Sequence, residues 1–150
     1  MNKVNYAHLR KTISSLTEGE EDVVSLMATV VCELHHSDHR FNWTGFYRVT
    51  SPGMLKIGPY QGSHGCLKIP FERGVCGAAA RLGKTQLVAD VEAFKGHIAC
   101  ASSTMSELVL PVWDKAGALI AVLDIDSDQP NAFTELDAAE LEIILAKVFS

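Results

Sequence analysis

No apolar run in this chain of 150 residues approaches the ~20 that a membrane-spanning helix needs. Its opening stretch, MNKVNYAHLRKTISSLTEGE, has no apolar segment of the kind that directs secretion. A cytoplasmic protein is expected. Positive charge is also short: 13 Lys and Arg stand against 18 Asp and Glu, a net charge of −5. There is thus no bulk field to hold a phosphate backbone, and neither nucleic acid nor a membrane is expected as a partner. With 47% hydrophobic and 21% charged residues, disorder and low-complexity structure are excluded as well. One domain spanning residues 1–150 is expected, large enough for a real core.

Residues 2–16 suit a short helix, and residues 20–36 place Val24, Met27, Val31 and Leu34 on one helical face. From Phe41 the period changes. FNWTGFYRV, MLKIGPYQG and CLKIPF are short aromatic or branched runs broken by Gly- and Pro-containing turns, and read as strands. GVCGAAARL at 74–82 suits a short helix, QLVAD a brief extended piece, and EAFKGHIACASSTM a long irregular loop of the kind that carries function. SELVLPVW and ALIAVLDID follow as strands around a turn at 114–117. Residues 134–149 close the chain as a helix, with Thr134 as its N-cap and Leu141, Ile144, Leu145 and Val148 on its buried stripe. This order predicts an α+β domain, a central and mostly antiparallel sheet with helices packed on it.

In GALIAVLDIDS, strand alternation places Leu119, Ala121, Leu123 and Ile125 on one face and Ile120, Val122, Asp124 and Asp126 on the other. A two- or four-residue loop at 114–117 sets residue 113 opposite 118 and Glu107 opposite Asp124. Three carboxyl groups then converge at one end of the sheet, where mutual repulsion raises at least one pKa. A three- or five-residue loop separates Glu107 from the pair. The plainer reading has these acids capping loops or facing solvent.

A reducing compartment leaves Cys32, Cys66, Cys76 and Cys100 as thiols. Cys32, on the apolar helix beside Met27 and Val31, reads as a small core hydrophobe. The other three sit in loop-rich or Gly-flanked settings. His64, Cys66, Cys76, His97 and Cys100 offer zinc donors, but no C-x₂₋₄-C pair is present, and no metal is expected. The other chemistry open to such thiols is redox: a thiolate attacks an electrophile, becomes a sulfenic acid and is captured as a disulfide by a second thiol.

The strings NWTGFY (42–47), GPYQG (58–62), GVCG (74–77), GHIAC (96–100), SELVLP (106–111) and VLDIDS (122–127), with cysteine spacings of 10 and 24 residues, together resemble the free methionine-(R)-sulfoxide reductases. These are single-domain enzymes of GAF fold. The resemblance implies that Cys100 is the attacking thiol and Cys66 its resolving partner, with Cys76 in a supporting or alternative role. It further implies substrate contacts from Trp43, Tyr47, Glu107, Asp124 and Asp126, no bound cofactor, thioredoxin as external reductant, and a homodimer. A raised-pKa carboxyl is expected to protonate the sulfoxide oxygen. An ionised one is expected to pair the substrate ammonium, and backbone N–H groups around Ile98 and Ala99 to hold its carboxylate. Ala101 and Lys95 depart from the family pattern around the GHIAC loop. The alternative is a non-catalytic GAF module that binds a small ligand as a sensor.

Overall fold

The computed structural model describes residues 4–98 and 100–150. In chain order the elements are α1 (Tyr6–Thr17), α2 (Val23–Ser37), β1 (Trp43–Ser51), β2 (Met54–Gln61), β3 (Lys68–Pro70), α3 (Gly74–Leu82), β4 (Gln86–Val88), β5 (Ser106–Trp113), β6 (Leu119–Ser127) and α4 (Glu135–Phe149). A single 3₁₀ turn at Val91–Ala93 precedes the irregular segment that leads to β5. The six strands form one sheet in the order β3-β2-β1-β6-β5-β4, and each neighbouring pair is antiparallel. This is the expected α+β fold.

Local chemistry sets the helix ends. The Asp22 carboxylate accepts from the Val24 and Ser25 N–H groups at the start of α2, and Thr134 forms a capping box with Asp137 at the start of α4. Between them Arg40 joins three segments. Its guanidinium donates to Asp38 and to Asp137, each at 2.9 Å, and to the Ala132 carbonyl at 2.8 Å, while the Tyr6 hydroxyl donates to Asp137 at 2.6 Å. Burial opposes ionisation of Asp38 and Asp137, but the Arg40 hydrogen bonds outweigh it and hold both carboxyls below their usual range.

The sheet divides the apolar residues into two clusters. On one face Phe46, Leu108, Leu110, Leu123 and Ile125 pack under α1, α2 and α4. On the other, Trp43, Tyr47, Leu55, Val109 and Val122 pack under α3, with Val75, Cys76 and Ala79. Helix α2 buries Leu26, Met27, Val30, Val31 and Leu34. Val24, expected on this face, stands at the N-terminal end of α2 and is 58% exposed. Cys32 is half-buried rather than a core residue; it lies beside His36 Nδ1 at 4.0 Å and belongs to neither cluster.

The β5–β6 hairpin corrects the expected register. Its loop is three residues long, with the Asp114 N–H donating to the Ala118 carbonyl at 2.9 Å, and a loop of that length alone sets Glu107 opposite Ile125 on the wrong face. A bulge restores the parity: Trp113 pairs with Leu119 but Val112 pairs with Ala121, leaving Ile120 as an extra residue. Glu107 therefore faces Asp126, and Asp124 faces Val109. The same bulge reverses the alternation at the hairpin end. Leu119 packs on the α3 side and Ile120 on the opposite side.

Candidate active site

The α3 face of the sheet carries its polar residues at one end. Glu107 and Asp126 are cross-strand partners there, and Asp124 follows on the same face, two residues along β6. Strand β1 completes the floor, with Trp43 paired to Asp126 and Gly45 to Asp124. Gly45 is required by close approach: a Cβ at this position meets the Trp43 ring and Tyr60 Cβ at 2.5 Å. The space it leaves lets the Trp43 ring stack on Tyr60 and on Tyr47, at centroid distances of 5.3 and 5.8 Å.

The Trp43 ring has a second task. Its Nε1–H donates to the Ser63 carbonyl at 2.7 Å, which fixes the turn that leads into Cys66. Gly65 then fits against the Tyr47 hydroxyl, 2.9 Å from where a Cβ would stand. This turn meets the irregular 94–105 segment, and Cys66 and Cys100, 34 residues apart in sequence, are joined as a disulfide with Cα atoms 5.3 Å apart. Both cysteines pack against the α3-side cluster.

Between the disulfide and the acid cluster is a cavity of about 30 Å³, room for about one or two water molecules. Trp43, Tyr47, Cys76, Ile98, Cys100, Glu107, Asp124 and Asp126 line it, and Cys66 reaches it through Cys100. Ala99 lies outside the described residues. His64, His97 and Thr104 also line the cavity. The histidines are visible in the sequence only as weak zinc donors, and Thr104, in an irregular loop, carries no pattern that marks it.

Burial dominates the electrostatics. Asp124 is buried and pushed well above the usual carboxylate range, first by loss of water, then by Asp126 and Glu107. Asp126 is raised by burial and then by Glu107. Burial also raises Glu107, although hydrogen bonding with Asp124 offsets part of the effect. The three carboxyls titrate as one coupled group that retains protons where isolated carboxylates have lost theirs. Three buried polar atoms here have no hydrogen-bond partner: Asp124 Oδ1, Asp126 Oδ1 and His97 Nδ1.

Cys76 is a buried free cysteine, its Sγ 3.9 Å from Glu107 Oε2. Burial pushes its thiol up, and the charges of Asp124 and Glu107 add to the shift. A thiol in this setting stays protonated and is a poor nucleophile. With Cys66 and Cys100 joined to each other, the zinc set that the sequence offered is not assembled.

Comparison with known proteins places this arrangement. The sequence pattern of the GAF domain family matches residues 17–148. The free methionine-R-sulfoxide reductase of Escherichia coli is 38% identical over 149 residues, covering 99% of this chain and 89% of that one. The corresponding reductase structure from Staphylococcus aureus, in its reduced form, has a TM-score of 0.93 at 38% identity, covering 99% of this chain and 95% of the other. That from Neisseria meningitidis, solved with its substrate, has a TM-score of 0.89 at 36% identity and covers 99% and 93%. The chain belongs to the GAF domain family, and within it to the group that contains the free methionine-R-sulfoxide reductases. Among the described residues no helix is long and apolar enough to cross a membrane.

Proposed function

We propose that this protein reduces free methionine-(R)-sulfoxide to methionine, with Cys100 as nucleophile and Cys66 as resolving thiol. The observation that carries the reading is the pairing of Cys66 with Cys100 beside a cavity floored by a proton-retaining acid cluster. The Cys100 thiolate attacks the sulfoxide sulfur while a carboxyl of the Glu107–Asp124–Asp126 group protonates the departing oxygen. Oxygen passes to Cys100 as a sulfenic acid, and methionine leaves. The Cys66 thiol then displaces that hydroxyl, forming the disulfide and releasing water.

Cys76 is assigned a supporting role, because a deeply buried thiol among carboxyls holds its proton. The remaining negative charge of the cluster suits the substrate's α-ammonium, and Trp43 and Tyr47 suit its S-methyl group. Backbone N–H groups at Ile98 and Ala99 are the proposed site for its carboxylate. Thioredoxin, or another dithiol protein, returns the disulfide to thiols, and the active unit is a homodimer. The chemistry needs no bound cofactor.

The test is a single turnover without external reductant. Reduced protein mixed with free methionine-(R)-sulfoxide is expected to release one methionine per chain, and none from the S epimer. Release of no methionine, with the sulfoxide recovered intact from the complex, identifies a binding module instead.

A further inference from the structure

The geometry points to a binding site for one thiophilic divalent cation of the zinc class, made by Cys76, Glu107 and Asp124 in the disulfide form of the protein. The Cys76 Sγ and one oxygen from each carboxyl lie within 4.8 Å of one another, and all three residues are buried. Ligand atoms on a tetrahedral zinc, at ~2.3 Å for sulfur and ~2.0–2.2 Å for oxygen, stand roughly 3.3–3.7 Å apart, so side-chain movements of about an ångström complete the site. They come from α3, β5 and β6, which is why no short sequence spacing announces them.

A cluster of acids alone is no site, but Asp124, which lines the cavity, is 5% exposed and its Oδ1 is buried with no hydrogen-bond partner. Across the same cavity His97 Nδ1 is buried and unpartnered too. In this disulfide form the cavity of about 30 Å³ has room for an ion with a water. A sulfur ligand selects zinc-like ions over calcium and magnesium, which take oxygen donors. On binding, the Cys76 S–H proton and any carboxyl proton pass to solvent, one metal–sulfur and two metal–oxygen bonds form, and water fills the fourth position; no electrons move. The ion offsets the mutual repulsion of the carboxyls. If the proposed function holds, it also withholds them from the substrate ammonium.

The experiment titrates the intact chain, with the Cys66–Cys100 disulfide verified by mass spectrometry, with Co²⁺ in the absence of any sulfoxide. One Co²⁺ per chain with near-ultraviolet thiolate-to-cobalt absorption, displaced by Zn²⁺, is expected. Cys76→Ser is expected to abolish the absorption, Asp124→Asn to weaken binding ~10-fold or more, and Cys32→Ser to change nothing. Absence of the absorption in the wild-type protein overturns the proposal, as does its survival in Cys76→Ser or its loss in Cys32→Ser. Should Cys76→Ser fail to fold, Asp124→Asn decides: wild-type affinity there overturns the site. Since no substrate is used, failure here leaves the proposed reductase reaction untouched, and the reverse also holds.

Discussion

Glu107 on β5 lies directly across from Asp126 on β6, at the end of a sheet face that is otherwise almost wholly apolar. Two opposed irregularities create this relationship: a three-residue loop that shifts the hairpin by one residue and an extra residue at Ile120 that shifts it back. Removing Ile120 therefore turns Glu107 to the other face.

The acid cluster is expected to act as a unit. Asp126→Asn, Asp124→Asn and Glu107→Gln each lower kcat by ~10² or more, and their effects do not add, because the three groups titrate together. Activity falls as pH rises through the raised cluster pKa, and each variant alters that alkaline limb. Near wild-type kcat in all three variants, with independent changes in KM alone, assigns the cluster to binding only.

The same shifts bear on stability. A carboxyl whose folded pKa is raised contributes stability that is present below its unfolded pKa and lost as pH rises through the folded value. Asp124→Asn is thus expected to raise Tm at neutral pH while lowering activity, by roughly 2–4 °C for each kcal/mol of repulsion removed. Melting curves across pH 4 to 9 check this (~5 units of pH spanning the window); a destabilised Asp124→Asn at every pH contradicts it.

Arg40 is expected to matter for folding rather than catalysis. Arg40→Ala leaves the Asp38 and Asp137 carboxylates, both nearly inaccessible, without their cation. Loss of one partner from such a buried network costs about 3–5 kcal/mol. Denaturant unfolding measures it, and a loss below ~1 kcal/mol refutes the role.

Selectivity follows from the charge in the cavity. N-acetylation of the substrate removes the ammonium and leaves a buried carboxylate unpaired, which costs several kcal/mol. N-acetyl-methionine-(R)-sulfoxide and peptide-bound sulfoxide are expected to react at least ~100-fold more slowly in kcat/KM. Equal values for free and acetylated substrate exclude ammonium recognition.

The sequence made the elements legible where periodicity and caps agree. GVCGAAARL forms α3 over the expected residues, and Thr134 caps α4 as its spacing implies. What it hid depends on tertiary context. The bulge at Ile120 has no Gly or Pro to mark it, so the alternation of Leu119 and Ile120 reads the wrong way round. Val24 fits the helical stripe in angle, but at the N-terminal end of α2 it is 58% exposed. Cys32 shows the same limit, since Met27, Val31 and Leu34 near it on the helix are apolar while the side chain beside it in space is His36. The convergence of acids was legible because a shift of two residues preserves the face, although it changes the partner. That Cys76 joins them from α3 was not, because the contact spans two elements distant in sequence.

The central claim is that oxygen is taken by Cys100 and the oxidised state resolved by Cys66. The direct measurement is disulfide mapping by mass spectrometry after fully reduced protein completes one turnover with free methionine-(R)-sulfoxide. The account predicts a single new Cys66–Cys100 bond with Cys76 and Cys32 still reduced, no turnover in Cys100→Ser, and one methionine without recycling in Cys66→Ser. A disulfide that contains Cys76, or methionine release by Cys100→Ser above ~10% of wild type, contradicts it.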